Sequence, residues 1–173
     1  VDKFARVDIL VNNAGINVRK RPEEYAVEEW DRIVDINLRG SFLCANAVYP
    51  HMTKQGGGKI INIGSIYGTV SPDQRIYKQP MPLAHSMSKG GLLGLTRWWA
   101  TALAPKIRVN LLTLGGIEFG MGKGFRARFS RLVPLGRPAH MSEFDEAIRF
   151  LLGRGSRYMT GAELVIDGGY TAK

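Results

Sequence analysis

The chain has 173 residues, 45% hydrophobic and 23% charged, with 24 lysines and arginines against 15 acidic residues for a net charge of +9. Those values describe one globular unit, residues 1–173, with enough chain to bury a core, and exclude a disordered or fibrous protein. A lone cysteine, Cys44, excludes an internal disulfide. Within Phe42-Leu43-Cys44-Ala45 it reads as a small buried hydrophobe, and a reducing, cytoplasmic setting is expected.

No stretch approaches the roughly 18 apolar residues of a membrane span, and no signal-peptide pattern opens the chain. It begins Val1-Asp2-Lys3-Phe4, without methionine, and enters a strand almost at once. That is how a fragment or a trimmed chain reads. Basic residues cluster in Arg19-Lys20-Arg21 and between Lys123 and Arg131. They carry no basic–aromatic repeat, so a solvated surface is favoured over nucleic-acid binding, with contact to an anionic substrate or cofactor phosphate as a further option.

In chain order, Ile9-Leu10-Val11 is the first expected strand. Trp30, Ile33, Val34, Asn37, Leu38, Ser41 and Ala45 then recur at helical spacing, and the helix stops before Gln55-Gly56-Gly57-Gly58. Ile60-Ile61-Asn62-Ile63 is the second strand. Ser86 to Ala104 reads as a helix closed by Pro105, with Gly90, Gly91 and Gly94 allowing close packing. Val109-Asn110-Leu111-Leu112 follows as a strand. Ser142 is the expected N-cap of a helix from Glu143 to Leu152, with Asp145 and Glu146 in its first turn. Leu164-Val165-Ile166 ends the series. The strands are short, branched and without clean alternation, as in a parallel sheet buried on both faces. Alternation with helices gives an α/β, Rossmann-like parallel sheet with flanking helices.

Polar or glycine-rich elements gather where strands end. The first strand runs into Asn12-Asn13-Ala14-Gly15, and small residues there let backbone approach a ligand. The second runs into Gly64-Ser65-Ile66-Tyr67-Gly68, and the third into Leu114-Gly115-Gly116-Ile117. His85 and Lys89 open a helix at i, i+4 spacing and share a face. No metal site is expected.

These segments, with Asp35-Ile36-Asn37-Leu38-Arg39-Gly40, Ser86-Met87-Ser88-Lys89-Gly90-Gly91, Thr160-Gly161 and Val165-Ile166-Asp167-Gly168-Gly169, resemble the signatures of the short-chain dehydrogenase/reductase family. They stand in the family's order along nearly the whole chain. The resemblance implies an oxidoreductase moving hydride between NAD or NADP and a carbonyl or alcohol carbon. Ser65 to Tyr77 is most similar to gluconate-dehydrogenase-like and sugar-related members, which suggests a sugar or polyol. It also implies homo-oligomers and a catalytic set. Asn37 would hold a relay water, Ser65 would bond the substrate oxygen, and Lys89 would bind the nicotinamide ribose. Asn13, Ala14, Gly15, Gly115 and Ile117 would line the cofactor.

The chain departs from the family pattern in several places. His85 stands where the family has tyrosine, four residues before Lys89. The ammonium should lower its pKa and leave a neutral imidazole, a plausible base and a poorer acid. The stretch from Ser65 to His85 is long and holds Tyr77 among Pro72, Pro80 and Pro82. Tyr77 could fold back to replace the missing phenol, but an exposed loop tyrosine is the favoured reading. Leu114 replaces a proline, and Phe119 replaces a threonine that meets the cofactor diphosphate. Gly120, Gly122 and Gly124 follow no strand as a phosphate loop would. The family's own phosphate loop, with the residue choosing NAD or NADP, would lie in roughly 80 to 90 residues upstream of Val1. Without them the first strand becomes an exposed edge, to be covered by another subunit or segment. The alternative is an inactive family remnant that keeps the oligomerising helices.

Overall fold

The central strands carry the longest buried runs, and the fold is arranged around them. In the computed structural model, which describes residues 3–77 and 82–172, β2 (Gly58–Ile63) and β3 (Ile107–Leu114) lie between β1 (Ile9–Asn12) and β4 (Glu163–Ile166). All pairings are parallel, in the order β1-β2-β3-β4. Burial on both faces holds for β2 and β3 only. The strands β1 and β4 are edges of the described sheet, and Ile9 and Val11 are 40% and 41% exposed.

Successive residues of β2 divide the core. Ile60 joins Ile107, Val109, Ala45, Met52, Trp99 and Ala100 on one face. Ile61 and Ile63 join Leu112 and Leu151 on the other. The first face is covered by α2 (Gly40–Lys54) and α3 (Leu83–Ala102), and the second by α5 (Asp145–Leu152), while α4 (Lys123–Ser130) carries Phe125 and Phe129. Buried amides tie the layers together. The Asn12 side chain donates to Asn62 at 2.8 Å, and Asn62 donates to Thr96 of α3 at 2.8 Å. Gln55, at the end of α2, holds the backbone of Val7 through both its donor and its acceptor.

The first long helix is continuous in space but not uniform. Between α1 (Val27–Val34) and α2 lies a turn of π-helix, Asp35–Arg39, which periodicity alone does not reveal. Such turns insert a residue into the helix and often mark functional sites. Here the turn carries Asn37.

Three expectations are corrected. The helix α3 begins at Leu83, not Ser86, because Ser86 completes its first turn by donating N–H and hydroxyl to the Pro82 carbonyl. Ser142 caps no helix. A short 3-10 turn, Met141–Phe144, precedes α5, and Glu143 reaches back to the His140 N–H at 2.8 Å. Cys44 is exposed, since α2 turns Ser41, Ala45 and Met52 inward and leaves 42–44 outside. Of the three helix glycines, Gly91 packs tightly, for an added Cβ would lie 2.8 Å from Leu38. Gly94 has nothing within 4 Å.

The closest approach of α3 to the site is at Gly68. A Cβ there would lie 2.7 Å and 2.8 Å from the Lys89 carbonyl atoms and 2.9 Å from the Gly90 nitrogen. Backbone cannot yield as a side chain can, so Gly68→Ala should cost about 1–3 kcal/mol. Gly94→Ala should stabilise by about 0.5–1 kcal/mol, as for a helix glycine with open space around it. Urea unfolding of the two variants checks this, and equal effects would contradict it.

Candidate active site

The π turn buries Asn37 completely. Its amide oxygen accepts the Ile16 N–H at 2.8 Å, and its nitrogen donates to the Ile16 carbonyl at 2.9 Å and to the Ser88 hydroxyl at 3.0 Å. Ser88 in turn donates to the His85 carbonyl at 2.8 Å. One side chain thus fixes the loop after β1 to the first turns of α3. Both amide hydrogens are committed to protein. Ser88 was not singled out from sequence, although it neighbours Lys89 and lies three residues after His85.

Ser65 ends the extended backbone after β2 and caps the turn Ile66–Gly68, accepting the Tyr67 N–H at 3.2 Å. Its hydroxyl hydrogen is free to donate. Lys89 is 6% exposed, and its ammonium donates to the Ile63 carbonyl at 2.6 Å. Burial lowers its pKa to about 8. Two ammonium hydrogens remain, close to Gly15, whose added Cβ would lie 3.8 Å from Nζ.

Ser65 and His85 line one cavity of about 230 Å³, together with Arg19, Tyr67, Tyr77 and an apolar wall of Ile117, Met121, Phe125 and Phe129. The His85 Nδ1 is buried without a hydrogen-bond partner. Burial first, then the Lys89 charge, lowers the His85 pKa to about 4, with the Ile16 backbone opposing. The direction expected from sequence is borne out, but burial outweighs the ammonium.

Tyr77 corrects the favoured reading of an exposed loop residue. Its hydroxyl donates to that of Tyr67 at 2.7 Å, and its ring lies 5.0 Å from Phe125. Burial raises the pKa of both phenols. Tyr170, also missed, stacks on Phe129 at 5.3 Å and 11° and closes the aromatic floor. Of the prolines near Tyr77, Pro80 lies outside the described residues. A larger cleft of about 770 Å³ lies beyond Tyr67 and Tyr77 but includes neither Ser65 nor His85.

The family profile described as enoyl-(acyl carrier protein) reductase matches residues 1–171. The chain belongs to the short-chain dehydrogenase/reductase family. It is 43% identical over 173 residues to a trans-4-hydroxycyclohexanecarboxylate dehydrogenase of Sinomonas cyclohexanicum, covering 99% of this chain and 63% of that protein. A short-chain dehydrogenase of Leptospira borgpetersenii with bound NAD+ superposes with a TM-score of 0.92 at 37% identity, over 98% of this chain and 67% of that one. A gluconate 5-dehydrogenase of Burkholderia cenocepacia, in complex with NADP and tartrate, does so with 0.91 at 30%, over 99% and 68%. The chain therefore spans about two thirds of the length of these relatives.

The Rossmann-like sheet of this short-chain dehydrogenase/reductase sets Asn13, Ala14 and Gly15, all exposed, at the carboxyl end of β1, with Gly15 beside Lys89. Small residues on that rim would let a ribose approach the ammonium, whose two remaining hydrogens are of the kind a hydroxyl accepts. Gly115 has a further reason to be small: a Cβ would lie 2.7 Å from the Asp167 Cα. Ile117 is bridged to Ala139. Phe119 is 84% exposed and apolar, so the side chain offers a diphosphate no hydrogen bond.

The lowered His85 pKa has a consequence for stability. Between pH 6.5 and about 4, the unfolded chain takes up a proton at His85 that the folded chain refuses. Stability should therefore fall with acidity across that window. In His85→Phe, this part of the loss, up to about 1.4 kcal/mol per pH unit, should vanish in urea titrations. Parallel profiles for variant and wild type would refute the assignment.

Proposed function

We propose that this chain carries the substrate side of an NAD- or NADP-dependent oxidoreductase acting on a carbonyl or secondary alcohol. The observation that carries the reading is the cavity that Ser65 and His85 line together. Ser65 donates to the substrate oxygen and fixes its position. His85 is neutral at pH 7, so it can accept the proton of an alcohol, whereas its low pKa makes it a weak base and a sparsely populated acid. Asn37 acts on the site by positioning: it holds Ile16 and, through Ser88, the start of α3.

Lys89 would bind the ribose hydroxyls, and Asn13, Ala14, Gly15, Gly115 and Ile117 would line the nicotinamide end. When bound, the nicotinamide supplies the hydride acceptor or donor. The names of the relatives support a small hydroxyl-bearing substrate, sugars and polyols included. No helix among the described residues is long and apolar enough to cross a membrane, and a cytoplasmic enzyme is the setting we favour.

Turnover tests the reading. Oxidation of secondary alcohols with NAD and with NADP should be detectable. Ser65→Ala should lower kcat/KM about 100-fold or more, as for loss of an oxyanion donor. Restoring the family's tyrosine with His85→Tyr should raise kcat. No turnover in any variant, with cofactor binding retained, would sink the proposal.

A second reading, an inactive remnant that self-associates, draws on a different face. Phe42, Leu43, Met87 and Trp98 are 41–61% exposed along α2 and α3. Phe42 and Trp98 rim an apolar groove with Leu38, Gly91 and Leu95. Exposed apolar residues grouped in this way suit an interface. Self-association belongs to both readings, so the wild-type chain should sediment as a dimer or larger, and Trp98→Lys should shift it towards monomer. A monodisperse wild-type monomer would remove this second reading.

A further inference from the structure

Arg19 belongs to neither the catalytic set nor the cofactor rim. It lies on the loop after β1, with its guanidinium carbon 5.6 Å from the ring centroids of both Tyr77 and Phe125. It also lines the cavity that holds Ser65 and His85. The neighbouring cations are engaged elsewhere. Lys20 pairs with Glu29 at 2.6 Å and Arg21 with Glu24 at 3.9 Å. On the opposite wall, Arg126 pairs with Glu118 at 3.2 Å, and Arg128 donates to the Ile76 carbonyl. Among the described residues, Arg19 has no carboxylate partner and no hydrogen bond.

We infer that Arg19 anchors an anionic group of the substrate, so that this cavity takes a small hydroxy- or oxo-carboxylate in preference to a neutral alcohol. The inference rests on the proposed reading of the Ser65–His85 cavity as the substrate site. A planar guanidinium with its donors unspent binds a carboxylate through two parallel hydrogen bonds. The two aromatic rings supply cation–π contact that holds the side chain over the cavity. Ile117, Met121, Phe125 and Phe129 give the space between cation and reacting groups an apolar lining, which suits a short carbon skeleton. A volume of about 230 Å³, below the roughly 300–1,000 Å³ of drug-sized sites, suits a small substrate.

The cation also faces the reacting end electrically. Arg19, with Lys89, is among the charges that keep His85 unprotonated. A carboxylate seated on Arg19 cancels part of that field. Binding of an anion should therefore make His85 a better proton acceptor, which couples substrate choice to chemistry.

Calorimetry with cyclohexanecarboxylate and with cyclohexanol, on the 173-residue chain, tests the anchor without requiring turnover. The acid should bind more tightly than the alcohol. Arg19→Gln should weaken the acid about tenfold or more and leave the alcohol unchanged, with Arg19→Lys in between. Arg19 is exposed, so the variants should keep the wild-type unfolding midpoint. Equal affinity of wild type and Arg19→Gln for the acid, or no binding of the acid by wild type, would overturn the inference. An Arg19-dependent affinity in a chain that turns over no alcohol would leave the anchor standing and count against the proposed activity.

Discussion

The site depends on one buried amide. Asn37 makes three hydrogen bonds from inside a helix, two to the backbone of Ile16 and one to Ser88. Each such bond contributes about 1 kcal/mol net, but leaving its buried partners unpaired costs about 1–3 kcal/mol apiece. The π turn Asp35–Arg39 is what brings the amide to Ile16 and to α3 at once. An extra residue in a helix has a structural cost, and here it is offset by joining β1, α2 and α3 at one point.

From that junction the electrostatics follow. With the start of α3 held in place, half-buried His85 and buried Lys89 share one helix face, and desolvation lowers the pKa of both. A phenol in this position would be ionised more readily by the same ammonium. An imidazole is instead kept neutral, so the exchange of tyrosine for histidine favours proton acceptance over donation. Tyr67, Tyr77, Phe125, Phe129 and Tyr170 pack into an aromatic floor, and two of its rings, Tyr77 and Phe125, give Arg19 its seat.

Much of this was legible in the chain. All four strands and their parallel direction follow from branched runs separated by helical spacings, and the strand ends point to Asn13, Ser65 and Ile117. Residues whose roles depend on long-range contacts were not legible. Tyr77 looks like a loop residue until Phe125, nearly fifty positions later, packs on it. Arg19 looks like one of three surface cations until Lys20 and Arg21 are seen to be paired and Arg19, among the described residues, is not. The π turn is invisible because a single inserted residue barely disturbs a periodicity of 3.6. Cys44 was misjudged because apolar neighbours in sequence do not share a helix face.

The central claim is that Asn37 positions His85, through Ser88, beside the cavity as a neutral imidazole. Nitrogen NMR of the His85 ring at about pH 5.5, between its ordinary and its shifted value, tests it most directly. The account predicts a neutral imidazole in the wild-type chain, and a return towards the ordinary titration in Asn37→Ala. Imidazolium signals from wild-type His85 at that pH would contradict it.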